Sequence, residues 1–296
     1  MADLLRSPGA ARAALRRRLG DATPIIAPGA YDALSARLVE AAGFDVVYVT
    51  GFGSSASLLG RPDVGLVGLG EMSDQVRRIV GAVDVPVVAD ADTGYGNAIN
   101  VIRTVQEYER AGVAALHLED QVLPKRCGHM EGKAVVSSGE MVGKIHAAVD
   151  ARRDPDLVLI ARTDARAPEG LDAAVARAWA YREAGADMLF VEALRDLEEI
   201  TTVAKELAGI PLVFNWAEGG KTPPLDLARI TELGFALIIC PITTLLAATR
   251  AVAASLSTLR RDGTPVNLVA GLPGFGEFLE IIGLPEVDEL SGRYAG

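Results

Sequence analysis

Three groups of residues in this chain have the types and spacings that chemistry requires. The first is ADADTGYG, with Asp90 and Asp92 two residues apart, followed further on by Glu119 in LHLED. Alternate residues of a strand share a face, so both aspartates can point the same way. Glu119 would join them from the next strand. Carboxylates without neighbouring His or Cys ligands suit Mg2+ or Mn2+ rather than zinc. Mg2+ usually keeps several waters, which leaves positions for a substrate. The same run also reads as a turn in which Asp90 or Asp92 caps a helix starting near Asn97.

The second group is YVTGFGSS, from Tyr48 to Ser55. Gly51 and Gly53 allow backbone amides to approach an anion, and Thr50 can add a hydroxyl. An ordinary turn explains the glycines equally well. Tyr48 reads as a core aromatic or as an acid/base group. The third group is LPKRCGH, which sets Cys127 among Lys125, Arg126 and His129. Those cations are expected to favour the thiolate and lower the thiol pKa. The sulfur would then serve as a nucleophile, or as an acid toward a carbanion-like centre. Gly128, Gly132 and Gly139 would make the segment a mobile lid. The plain alternative is a surface turn with an incidental cysteine. Cys240 ends an apolar run and reads as a buried, inert thiol.

These groups must be held by something, and the chain repeats one pattern eight times. Short apolar runs (24–27, 46–50, 85–90, 114–119, 157–162, 188–192, 211–215 and 236–240) alternate with helical stretches such as AINVIRTVQEYERAG. The runs are nearly all apolar, as parallel strands covered on both faces require. Eight such units in 296 residues predict a (β/α)8 barrel of the TIM type, an α/β fold. No GxGxxG opens a helix after the first strand, which disfavours a doubly wound sheet. Active sites of such barrels lie at the C-terminal strand ends. Those ends here carry Thr50, Asp90, Asp92, Glu119, Asp120, Arg162, Asp164, Glu192 and Asn215. Residues 1–259 read as the barrel with an N-terminal amphipathic surface helix. Residues 260–296 read as extra helices whose apolar residues need a neighbouring subunit.

Composition narrows the partners. A formal net charge of −10 argues against nucleic acid and anionic membranes. No apolar run reaches the ~20 residues of a membrane helix. The basic N-terminus lacks the apolar segment of a secretory signal, though a transit peptide is a minor alternative. Two cysteines are too few for a disulfide framework, so a reducing cytoplasm is expected.

The stretch from ADADTGYG through LHLEDQVLPKRCGH resembles the isocitrate lyase / phosphoenolpyruvate mutase superfamily. The likeness extends from about Tyr31 to Thr264. It is nearest to the 2-methylisocitrate lyase and 2,3-dimethylmalate lyase branch. The resemblance implies a (β/α)8 barrel, a divalent metal, and a homotetramer built as a dimer of helix-swapped dimers. It implies metal-shell roles for Asp90, Asp92 and Glu119, with Asp63 of GRPDVG in the outer shell. Tyr48, Thr50, Gly51 and Phe52 would hold a keto-acid carboxylate. Arg162 would bind substrate, and Glu192 and Asn215 would line the site. Cys127 would be the general acid on a gating loop with Gly128 and His129. The implied reaction is retro-aldol cleavage of a small 2-hydroxy di- or tricarboxylate to pyruvate or glyoxylate and a second carboxylate. Tyr48 is a candidate base.

Two departures bear on specificity. TGFG stands where methylisocitrate lyases usually have SGGG, so Phe52 narrows that corner. NWAEGGKTP stands where they have NITEFG, so Ala217 replaces a hydroxyl. Both favour a 2-alkylmalate-type substrate over methylisocitrate. Oxaloacetate hydrolysis or decarboxylation and phosphonate P–C chemistry are the remaining alternatives. Cys127 disfavours the decarboxylase and phosphonate branches.

Overall fold

The computed structural model describes residue 5 and residues 9–295. Eight strands appear where the apolar runs place them: β1 (Ile25–Ala30), β2 (Val47–Val49), β3 (Val87–Asp90), β4 (Ala115–Glu119), β5 (Val158–Thr163), β6 (Met188–Val191), β7 (Val213–Asn215) and β8 (Leu237–Cys240). All neighbouring pairs are parallel, in the order β6-β5-β4-β3-β2-β1-β8-β7. A single parallel bridge, Leu189 to Leu212, draws β6 and β7 together and nearly closes the barrel.

Twelve α-helices accompany the strands among the described residues. Before and between them run α1 (Gly9–Arg18), α2 (Ala33–Ala41), α3 (Gly51–Leu59), α4 (Leu69–Val80), α5 (Ala98–Ala111), α6 (Ser138–Ala151), α7 (Leu171–Glu183), α8 (Leu197–Glu206) and α9 (Leu227–Glu232). Then come α10 (Thr243–Asp262), α11 (Phe275–Ile281) and α12 (Leu284–Tyr294). The start of α5 settles the reading of DADTGYG. Asn97, not either aspartate, caps that helix, its side chain accepting from the N–H groups of Ile99 and Asn100. Gly112 then ends it in the left-handed conformation, φ 94°. Asp90 and Asp92 are left free of capping.

Inside the barrel the period of two along each strand does the sorting. Inward residues near the strand starts are apolar: Ile25 and Ala27, Val46, Val88, Ala115, Val158 and Ile160, Met188 and Phe190, Val213, Leu237 and Ile239. The next inward positions are polar: Asp90, His117, Glu119, Arg162, Glu192 and Asn215. An apolar floor therefore supports a polar mouth. Strand register aligns the mouth, with Asp90 beside His117 and Glu119 beside Arg162. A second core lies between the strands and the surrounding helices.

Helix α1 differs from its expected place on the surface. Leu15 is 1% exposed and packs into the barrel interior from below. Arg12 Nε donates to Val113 O at 2.8 Å, and Arg16 Nη2 donates to Leu157 O at 3.1 Å. Both carbonyls precede strands, so the helix plugs the N-terminal end. Burying that leucine contributes about 1.5–3 kcal/mol. The basic residues that suggested a solvated face are spent on strand-end carbonyls and on Asp154 and Asp187. The segment before residue 9, residue 5 excepted, lies outside the described residues.

Helix α10 runs unbroken through residues 259 and 260, where barrel and extension were expected to part, and stops at Gly263 with φ 68°. Beyond it, α11 and α12 are helical as expected. They touch their own chain lightly, for example through Arg37 Nη1 donating to Ile281 O at 3.5 Å. No helix among the described residues is long and apolar enough to cross a membrane.

Candidate active site

The C-terminal strand ends surround a cavity of about 210 Å3. Tyr48, Thr50, Phe52, Asp63, Asp90, Lys125, Cys127, Gly128, His129, Arg162, Glu192 and Asn215 all line it. Three expected residues, Gly51, Asp92 and Glu119, do not. Asp92 sits just past β3 at φ 46° and faces a neighbouring pocket with Lys125, while Glu119 is 1% exposed behind Arg162. Gly51 begins α3, and a Cβ there would stand 2.4 Å from Asp90 Oδ2, so only glycine permits this approach. Thr50 caps the helix by accepting from Gly53 N at 3.2 Å. The positive end of the α3 dipole thus meets the cavity wall at Thr50 and Phe52.

Charge in the mouth is unbalanced. Asp63, Asp90, Asp92, Glu119, Asp164 and Glu192 are six buried carboxyls, against the buried cations Lys125, Lys133 and Arg162. Lys125 Nζ bridges Asp63 Oδ1 at 2.6 Å and Asp92 Oδ1 at 2.5 Å. Arg162 grips Asp164 through Nε and Nη2 at 2.9 and 3.1 Å. It also lies 3.4 Å from Glu119 and 3.5 Å from Glu192, over the Phe190 ring. Burial pushes Asp92 up to about 7 despite Lys125. Burial likewise raises Glu119 well above the usual carboxylate range.

A hard divalent cation fits this donor set. Its groups are all oxygens, the negative charge is in excess, and the buried Glu119 Oε1 has no hydrogen-bond partner. Asp90 is the carboxylate of the DxD pair that reaches the cavity. Asp90, Asp92 and Glu119 were expected to form a metal shell. Among the described residues, no group of three or more His, Cys, Asp or Glu side chains forms a ready-made cage. Mg2+ commonly uses one or two carboxylates and fills its remaining positions with water and substrate.

The thiol loop also departs from expectation. Cys127 is not activated by its cationic neighbours; burial pushes its thiol up to about 11. Lys125 is committed to two aspartates, and the Arg126 side chain is exposed. His129 Nδ1 accepts from Lys221 N at 3.1 Å, which ties its ring to the segment after β7. The thiol is therefore an acid, not a resident thiolate. The loop itself is folded over the cavity. Cys127 N donates to Asp63 O at 3.1 Å, and Asn215 Nδ2 stands 3.3 Å from His129 Nε2.

Tyr48 is 3% exposed, and burial raises its phenol well above the ordinary value. Its hydroxyl lies 2.8 Å from His117 Nε2. Burial lowers the His117 pKa and keeps that ring neutral. Tyr48 is thus no free phenolate base but one end of a buried tyrosine–histidine pair. Sequence reasoning passed over His117, although its place two residues before Glu119 in LHLE put it on the inward face. It passed over Lys133 as well, whose spacing and neighbours carry no signal of its role. Cys240 is half-buried, and burial pushes its thiol up to about 11.

A family model described as phosphoenolpyruvate phosphomutase matches residues 15–260. The chain belongs to this family. Among phosphomutase-family relatives, 2,3-dimethylmalate lyase of Eubacterium barkeri is 47% identical over 283 residues, covering 96% of this chain and 98% of that protein. A 2-methylisocitrate lyase of Aeropyrum pernix is 44% identical over 265 residues, covering 90% and 85%. A family structure of phosphonopyruvate hydrolase with oxalate and Mg++ superposes with TM-score 0.88 at 34% identity, over 98% of this chain and all of that one.

Proposed function

We propose that this enzyme is a Mg2+-dependent carbon–carbon lyase that cleaves a 2-alkylmalate-type 2-hydroxy dicarboxylate to a 2-keto acid and a second carboxylate. One observation carries the reading. A neutral thiol, Cys127, sits on a loop folded over a cavity that also presents Asp90 and Arg162.

Asp90 would hold the ion, with Asp92, Glu119 and Asp63 behind it. When bound, Mg2+ supplies Lewis-acid polarisation of the substrate hydroxyl and carboxylate oxygens. Arg162 takes the carboxylate on the carbon that will carry negative charge, while the first turn of α3, at Thr50, Gly51 and Phe52, takes the keto-acid carboxylate. Glu192 and Asn215, joined at 2.9 Å, and His129 with Gly128 complete the wall. Tyr48 accepts the hydroxyl proton as it passes its own to neutral His117, and the pair releases that proton to solvent when the loop opens. The C2–C3 bond then breaks, the hydroxyl carbon becomes the ketone, and the electron pair moves onto C3 and its carboxylate. Cys127 protonates C3, and solvent returns the proton to sulfur. A thiol near 11 is far more acidic than such a carbon acid, so this transfer runs downhill.

The far wall supports the alkyl substrate. Phe52, Met130, Ala217, Ile239, Pro241 and Ile242 supply the apolar part of the lining, and residue 217 brings no hydroxyl to it. A third carboxylate there would be desolvated without a partner. The 2,3-dimethylmalate lyase relative fits this preference. The deciding assay compares pyruvate release from 2,3-dimethylmalate, 2-methylisocitrate and oxaloacetate, with Mg2+ and after chelation. Metal-dependent release fastest from dimethylmalate supports the reading; metal-independent release, or none from either hydroxy acid, overturns it.

The same proposal takes residues 260–296 as a packing extension for a neighbouring copy in a homotetramer. Phe275 at 81% exposure and Val266 and Val269 near 65% need cover. A reducing cytoplasm suits the two free thiols.

A further inference from the structure

The thiol loop is anchored at its far end by a residue that takes no part in the chemistry above. Lys133 is buried, and its side chain has no exposure. Its ammonium donates to Gly128 O at 2.5 Å and to Asp164 Oδ1 at 2.7 Å. Asp164 is the carboxylate that chelates Arg162. Asp164 is in turn fixed by its own N–H donating to Asp120 Oδ1 at 2.8 Å. Asp120 is held by Thr163 Oγ1 and Tyr181 Oη, each at 2.7 Å. The acidic partner is therefore rigid, and the loop is the part that comes to it.

A lysine buried this deeply costs several kcal/mol unless paired and hydrogen-bonded. Here the pair joins two things that the reaction must bring together: the carbonyl next to Cys127 and the carboxylate that aims Arg162. We propose that Lys133 is a positioning residue that seats the Gly128 carbonyl on Asp164 and so holds the Cys127 thiol in place beside Arg162. This rests on the lyase reading for its catalytic consequence, but not for its structural one. Opening the loop requires parting the ammonium either from Asp164 or from the Gly128 carbonyl, so occupancy of the thiol position and alignment of the arginine are linked through one ammonium.

The test measures alkylation of Cys127 by iodoacetamide in the ligand-free enzyme, located by peptide mass spectrometry so that Cys240 is read separately. Lys133→Met should speed Cys127 modification about tenfold or more, since a loop that is rarely open becomes largely open. Cys240 modification should stay unchanged. With 2,3-dimethylmalate, kcat should fall about 100-fold with KM within a few-fold, the signature of misplaced catalytic groups. Lys133→Arg should recover part of both. Asp164→Asn supplies an independent readout of the same latch if Lys133→Met does not fold, and it should also expose Cys127. Unchanged Cys127 alkylation in the folded variants overturns the proposal. Faster alkylation in an enzyme that cleaves no hydroxy acid would keep the latch and remove the lyase reading.

Discussion

Gly128 rests against the guanidinium of Arg162: a Cβ on that glycine would lie 2.5 Å from Arg162 Nη2 and 2.6 Å from Glu192 Cγ. Both partners are buried and paired, so neither can yield. Gly128→Ala should therefore hold the loop off the site while leaving the barrel intact. We expect kcat to drop about 100-fold, with Tm nearly unchanged by calorimetry. A fully active Gly128→Ala enzyme would mean that the close approach is not the reacting arrangement.

Cys127→Ser replaces the acid with a much weaker one of similar shape. Cleavage should fall by about 10²–10⁴, the usual share of a positioned acid. Keto-acid binding, followed by titration calorimetry with pyruvate and Mg2+, should survive. Normal turnover by this variant would take the proton donor away from sulfur.

The buried thiol gives a signed pH dependence. Its folded pKa is raised by burial to about 11 from an ordinary value of 9.0. The neutral form is favoured in the fold, so its stability contribution is complete below the unfolded value. That contribution is lost as pH rises through the folded value. Alkylation of Cys127 should climb steeply only toward pH 11, later than a model thiol does. A titration midpoint below 8 would indicate thiolate activation by the surrounding cations.

Ala217→Thr restores a hydroxyl to the apolar wall. It should raise kcat/KM for 2-methylisocitrate relative to 2,3-dimethylmalate, by about tenfold for one charge-assisted hydrogen bond. An unchanged ratio of the two specificity constants would reject this account of the departure from NITEFG.

Lys125→Met removes the cation shared by Asp63 and Asp92. Breaking a buried pair costs about 3–5 kcal/mol, to be read from urea unfolding without Mg2+. The sign with pH follows from Asp92, raised by burial to about 7. A raised acid is tolerated while protonated and penalised as pH climbs through that value, so the deficit should widen between pH 6 and 8. A deficit that narrowed instead would place the charge elsewhere.

The fold was largely legible because each strand writes its position twice, as an apolar run and as the polar residue that ends it. Glu119 and Arg162 sit side by side for that reason. What could not be read was the third dimension of charge. In KRCGH the cations lie next to Cys127 in sequence, yet Lys125 turns down to Asp63 and Asp92 while Arg126 turns out to solvent. Adjacency along a loop says little about which side chains share a face. The same blindness hid Lys133, whose partners Gly128 and Asp164 come from a loop and from the end of β5. Helix α1 was misread because arginines that satisfy strand-end carbonyls look, in sequence, like arginines facing water.

Leu15 seals the base of the barrel, and this fixes the order of traffic. A vessel stoppered below has one doorway, so whatever enters last must leave first. With the C3 acid held under Cys127 on the loop, as proposed above, that acid would depart as the loop lifts and the keto acid would follow it. Product inhibition should then be competitive for the keto acid and noncompetitive for its partner.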